Sequence, residues 1–294
     1  KLRKETYKTY AWPSVMGRLY DRNALAVALI TAAALSAFIF GLFAMVSPDK
    51  IWAVHSQSGS FYAIMGHGSM VALFGSVGLF VVLAWVMGFM RFWRDTGESL
   101  KDFVAPRTFG QAVWDVLTLK YLDGGGDGCT YPDEKPSFTR RTFHHFTFYG
   151  FLLCFAATST GTIFHYGFGW VAPYTALSLV KIFGTLGGIG LIIGPIGLIA
   201  LKHRADKAVS AQAQRGMDMG FLVLLILTSI TGFALWFLRD TPAMALVLAI
   251  HLGVVLGFFL TLPYGKFVHA IYRFAALVRY ALERSRPNPA ASFE

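Results

Sequence analysis

The apolar run HLGVVLGFFLTLPYGKFVH, residues 251–269, carries a histidine at each end. The spacing of 18 residues between His251 and His269 is five full turns of an α-helix. Both imidazoles are therefore expected on one side of a single helix, about 27 Å apart along its axis. A second run, RRTFHHFTFYGFLLCFAATSTGTIFH, repeats the arrangement, with His144 and His165 separated by 21 residues and by about 60° in azimuth. Imidazole pairs at two depths of one helical bundle are what bis-histidine b-type haem requires: the iron takes one nitrogen from each of two facing helices. A lone intramembrane histidine is more commonly a helix–helix hydrogen-bond partner or part of a proton relay. The matched depths on two helices favour haem ligation over that plainer role.

The elements that must hold these residues are membrane helices. The chain of 294 residues is 55% hydrophobic and only 14% charged, with 27 Phe and 30 Gly; a soluble domain carries about 25% charged residues. Six runs, near 23–47, 62–92, 142–166, 178–202, 217–238 and 243–272, have the roughly 20 apolar residues needed to cross a hydrocarbon core of ~30 Å as helices. The fold class expected is an all-α integral membrane protein, a haem-binding bundle of six transmembrane helices. Of the 26 Lys and Arg, only Lys50, Lys181 and Arg239 fall on one side of this arrangement. By the positive-inside rule both termini are cytoplasmic. The net charge of +10 is thus a topology signal, which removes the argument for a nucleic-acid partner. No cleavable signal peptide is evident in KLRKETYKTYAWPSVMGRLYDRN.

The organisation expected is a cytoplasmic linker or amphipathic segment (1–22), two spans (23–92), a cytoplasmic loop (93–141), a four-helix cytochrome b-like bundle (142–274) and a cytoplasmic tail (275–294). The loop contains an amphipathic stretch, FGQAVWDVLTLKYL, followed by DGGGDGCTYPDE, whose glycines point to a defined turn. It is either a surface connector or a docking platform for a cytoplasmic partner.

Topology assigns depths. His144, His145 and His269 belong to the cytoplasmic level, and His67, His165 and His251 to the outer level. The inner haem is expected between His269 and His144 or His145, with His144 favoured because its azimuth follows His165. At the outer level the natural pair is His251 with His165. That leaves His67 to hydrogen-bond a quinone oxygen, together with Lys181 at the outer edge of the fourth span; for Lys181 the alternative is snorkelling to the interface. His55 and His203 read as solvated residues. Gly184/Gly188 and Gly190/Gly194 have the small-xxx-small spacing of close helix packing. Cys154 reads as a packing residue, and with Cys129 as the other cysteine a disulfide framework or cysteine-rich metal site is excluded.

HLGVVLGFFLTLPYGKFVH resembles the haem-bearing helix of the nitrate reductase gamma subunit family, with two histidines at the same spacing. LTLKYLDGGGDGCTYPDE, FHHFTFYGFLLCFAATS and LTLPYGKFVHAIYRFAALVRY together resemble the tricarballylate-utilisation B family, also called the citrate-utilisation B family, over nearly the whole chain. This resemblance implies a bacterial inner-membrane protein. Its role would be to take electrons from a flavin-dependent dehydrogenase on the cytoplasmic side and deliver them to the quinone pool. The family places an N-terminal ferredoxin-like domain with two cysteine clusters before the membrane part, and KLRKETYKTYAWP resembles the linker after it. Iron–sulfur clusters are accordingly expected in such a domain or in a separate partner. Relative to the nitrate reductase helix, Cys154 and Phe155 stand where a second histidine would fall, so an outer haem must use His165 or His67.

The function expected is a cytochrome b-type electron-transfer subunit with one or two haems b, quinone and a cytoplasmic iron–sulfur or flavin donor. A proton-coupled transporter is the alternative from another class, weakened by the lack of Asp or Glu deep in any span. A non-haem membrane anchor is the third and leaves the paired histidines unexplained.

Overall fold

The computed structural model describes residues 2–128, 130, 135–205 and 212–286; Cys129, part of the TYPDE stretch and the end of the expected C-terminal tail lie outside them. The described residues form α1 (Leu2–Tyr10), α2 (Asn23–Met45), α3 (Pro48–Ile51), α4 (His67–Asp95), α5 (Leu100–Phe103), α6 (Pro106–Leu117), α7 (Thr139–Phe168), α8 (Leu179–Arg204), α9 (Gln212–Leu238), α10 (Met244–Thr261) and α11 (His269–Ser285). Six of these segments are long and apolar enough to span a membrane, so the all-α, multi-pass membrane architecture read from composition is the one observed. The spans alternate in direction, which puts α1, α5, α6 and α11 at one end of the bundle. Nearly all the Lys and Arg lie there, and it is called the basic end below.

The core is built around α10, which packs against α2, α9 and α4. Val27, Val81, Leu224, Leu225, Phe258 and Leu191 bury their side chains together at its centre. The α7–α8 contact is extensive and is made by glycine faces. A Cβ on Gly150 would meet the Leu191 nitrogen at 2.9 Å and the Gly187 oxygen at 3.0 Å; one on Gly190 would meet the Phe146 oxygen at 2.8 Å. Without a hydrophobic force between helices in lipid, such backbone approach is what holds the pair together.

The sixth span departs from the expected single helix over 243–272. The chain breaks after Thr261 into two 3-10 turns, Leu262–Tyr264 and Lys266–Val268, before α11 begins. Pro263 has no N–H to donate and its ring disrupts the preceding turn, and Gly265 is fully extended (φ −129°, ψ −164°). The carbonyls freed by the break do not go unpaired. Tyr20 Oη donates to the Pro263 carbonyl (3.1 Å) and Asn23 Nδ2 to that of Tyr264 (2.6 Å), while Tyr264 Oη itself donates to the Trp12 carbonyl (2.9 Å). A break at membrane depth is tolerated where side chains re-satisfy the backbone in this way. The argument that His251 and His269 share one face of one helix therefore does not hold.

In the loop, α6 is the expected amphipathic helix and packs on α11 through Ala112 and Phe109 against Ala275, Val278 and Phe274. The expected glycine turn is also present. Asp123 accepts from the N–H groups of Gly125, Gly126 and Gly128, and Gly124, Gly125, Gly126 and Gly128 all have positive φ.

Gly150→Val should force α7 off α8 and destabilise the protein by about 1–3 kcal/mol, whereas Gly78→Ala, whose Cβ would meet nothing within 4 Å, should not. Thermal unfolding of detergent-purified protein measures this; a Gly150→Val melting temperature equal to wild type would contradict the packing.

Candidate functional site

At the basic end the structure brings His144 of α7 and His269 of α11 together, with ring centroids 6.4 Å apart and planes at 74°. His269 is the first residue of α11. Its Nδ1 lies 2.7 Å from the Lys266 carbonyl oxygen. A carbonyl only accepts, so Nδ1 carries the proton and Nε2 presents a lone pair. On the facing ring, Nδ1 of His144 is buried without a hydrogen-bond partner, which marks an imidazole whose surroundings are incomplete as they stand. Phe267, two residues before His269, stacks on Trp85 (5.1 Å, 14°) and contacts Phe151 (4.9 Å) and Phe221 (6.2 Å). Arg140 and Arg273 bring positive charge close to His144.

This geometry passes a simple test for a shared metal. Metal–imidazole bonds of about 2 Å on opposite sides of one ion set ring centres roughly 6 Å apart. Among the described residues no three His, Cys, Asp or Glu side chains converge as a metal site, so an iron held here would take its remaining donors from a macrocycle. His145, the neighbour, turns away. It stacks on Tyr149 (5.7 Å, 25°), whose hydroxyl donates to the Leu117 carbonyl (2.7 Å). Successive helical residues are 100° apart, and only His144 faces α11.

The opposite end is different. His165 of α7 lies against His67 of α4, stacked at 3.9 Å and 19°, and not against His251. Tyr62 meets both rings edge-on (5.0 and 6.1 Å), and Tyr166 packs beside them. Rings this close leave no room for an ion between them, and Nδ1 of His165 is buried and unpartnered. His251 instead bonds Thr231 Oγ1 on α9 through Nδ1 (2.9 Å), above Gly232. The expected His165–His251 pair is therefore replaced by a His165–His67 pair. The cause is topological: α4 meets α7 at this end, while His251 faces α9. The fit for a haem fails here as it stands.

Lys181 is also not with His67; its ammonium sits over the Trp236 ring at 4.6 Å, a cation–π contact. His55 bonds the Lys50 carbonyl (2.8 Å) in the connection between α3 and α4, and His203 is exposed in the last turn of α8. Cys154 packs against the core and Gly187. Sequence reasoning missed Thr231, Tyr62, Tyr166 and Trp236, because each acts across helices far apart in the chain.

The citrate utilization protein B family profile matches residues 18–290. The chain belongs to the citrate utilization protein B family. Citrate utilization protein B of Escherichia coli is 45% identical over 294 residues, covering 99% of this chain and 75% of that protein. No solved structure matches. Membership spans both histidine levels, the break between α10 and α11, and the α5–α6 loop.

In a background with Cys154 and Cys129 replaced, the pair His67→Cys and His165→Cys should oxidise readily to a disulfide. The pair His165→Cys and His251→Cys should not. Gel-shift analysis after mild oxidation reads the outcome, and the reverse pattern would refute the arrangement of the outer histidines.

Proposed function

We propose that the protein is a cytochrome b-type electron-transfer subunit that passes electrons between a cytoplasmic iron–sulfur or flavin dehydrogenase partner and quinone. Membership of its family fits a role in citrate or tricarballylate utilisation. The single observation carrying the finer reading is the His144–His269 pair, two imidazoles from different helices at the separation one shared iron requires.

In this reading His144 and His269 would hold the haem iron, and Arg140 and Arg273, whose charges act on these imidazoles, would pair with its carboxylates. The haem, when bound, supplies a one-electron carrier with low-spin bis-imidazole ligation. The chain's own residues supply the rest. The Lys266 carbonyl holds the His269 tautomer, and burial, with the Lys266 ammonium nearby, disfavours its protonation. Trp85, Phe151, Phe221 and Phe267 form an aromatic cluster around the turn that leads into His269.

At the other end, His67 and His165 with Tyr62 are the quinone-facing groups: an imidazole there hydrogen-bonds a quinone oxygen and exchanges the protons that accompany its reduction. Lys181, held over Trp236, stands as an interfacial cation. The excess of Lys and Arg at the basic end supports a cytoplasmic orientation of that end in a bacterial inner membrane. The α5–α6 surface is the docking face for the donor. Leu100, Val104 and Trp114 are exposed there beside Lys101 and Arg107.

The reduced-minus-oxidised visible spectrum of purified protein should show a b-type haem, with about one per chain by pyridine haemochrome, since only the basic-end pair has ligation geometry. His144→Ala and His269→Ala should abolish it, and His145→Ala should retain it. Loss on replacing His145 with none on replacing His144 would overturn the assignment.

A further inference from the structure

Asp218 lies in the run RGMDMGFLVLLILTS and is followed by no charged residue until Arg239. Its side chain is only 16% exposed. A carboxylate so placed needs compensation, and it receives two cations: Lys202 from the last turn of α8 and Lys266 from the break after α10, the latter at 2.8 Å. Both lysines are themselves largely buried, at 19% and 20% exposure. Lys266 is thereby tied at two points. Its ammonium pairs with Asp218, and its carbonyl accepts the Nδ1–H of His269.

We propose that Asp218 is a positioning residue for the His269 imidazole, acting through Lys266. The carboxylate fixes the Lys266–Val268 turn against α9. The turn fixes the direction of the Lys266 carbonyl, and the carbonyl fixes the rotation of the His269 ring about its bond to the chain. Outer partners of a metal-ligating histidine act in this way, setting tautomer and orientation. Among the described residues no other partner holds Nδ1 of His269, and the turn is short enough that a shift of its first residue reaches the ring. The inference rests on the haem reading above. The Asp218–Lys202 contact joins the ends of α8 and α9 and reaches His269 only through Asp218 itself, whose pair with Lys266 does not need it.

The test is low-temperature EPR of the oxidised, detergent-purified protein, because the largest g-value of a bis-imidazole haem follows the relative orientation of the two ring planes and not a nearby charge alone. Asp218→Asn and Lys266→Met should retain haem and shift that g-value in the same direction. The double variant should shift no further than either single, as expected of residues acting in one chain of contacts. Asp218→Glu should restore the wild-type value in part. Lys202→Met should leave it where it is. Lys266→Met keeps the Asp218–Lys202 pair neutral, so it carries the test if Asp218→Asn fails to fold. A wild-type signal left unmoved by Lys266→Met, or moved equally by Lys202→Met, overturns the inference and leaves the haem reading standing. Wild-type protein with no low-spin signal overturns both.

Discussion

The break in the chain between Thr261 and His269 is the constraint on which the rest of the arrangement depends. A helix carried straight through Pro263 would place His269 on the same continuous rod as His251, governed by the same packing. The break separates them. It lets the chain turn at the basic end, starts a new helix at His269, and points that residue at α7. Three parts of the molecule then converge on the opened backbone. Tyr20 and Asn23 from the N-terminal side take up its carbonyls, Asp218 takes the Lys266 ammonium, and α11 is seated on α6 and α4. Each of these contacts stabilises a geometry that helix propensity alone would not choose.

The two ends of the bundle follow different physical rules as a result. At the basic end the two imidazoles are held apart, each by its own helix, with a backbone acceptor fixing one tautomer. At the far end two imidazoles stack directly, among tyrosine rings and close to the α3–α4 connection that carries Tyr62. Separation suits a shared metal; stacking beside exchangeable hydroxyls suits hydrogen bonding and proton exchange. His251 belongs to neither group, since Thr231 engages its Nδ1 and Gly232 accommodates its ring.

Hydropathy alone located five of the six spans to within about five residues and overran the end of the sixth by eight, because length and apolar content are local properties and the break after Thr261 is not. The amphipathic α6 and the Asp123 turn were legible for the same reason. Gly184/Gly188 and Gly190/Gly194 of α8 were read as packing residues, and Gly188 against Phe233, Gly190 against Gly150 and Gly194 against Thr147 bear this out. His144 was separable from His145 by azimuth, which is again local. What could not be read was which helix faces which. Azimuth within one helix gives no neighbour, so His165 was paired with His251 and Lys181 with His67. Pro263 and Gly265 were visible in the run, but the periodicity of its histidines argued for a continuous helix, and the partners that make a break tolerable lie more than 240 residues away. Asp218 gave a signal as a carboxylate at the start of an apolar run, without its partners.

The central claim is that His144 and His269 share one iron. Near-infrared magnetic circular dichroism of the oxidised wild-type protein tests this most directly, because the charge-transfer band of low-spin haem reports the chemical identity of both axial ligands. The account predicts haem b with a bis-imidazole band. Protein that is folded and monodisperse but binds no haem, or whose band reports histidine with a non-imidazole ligand, would contradict it.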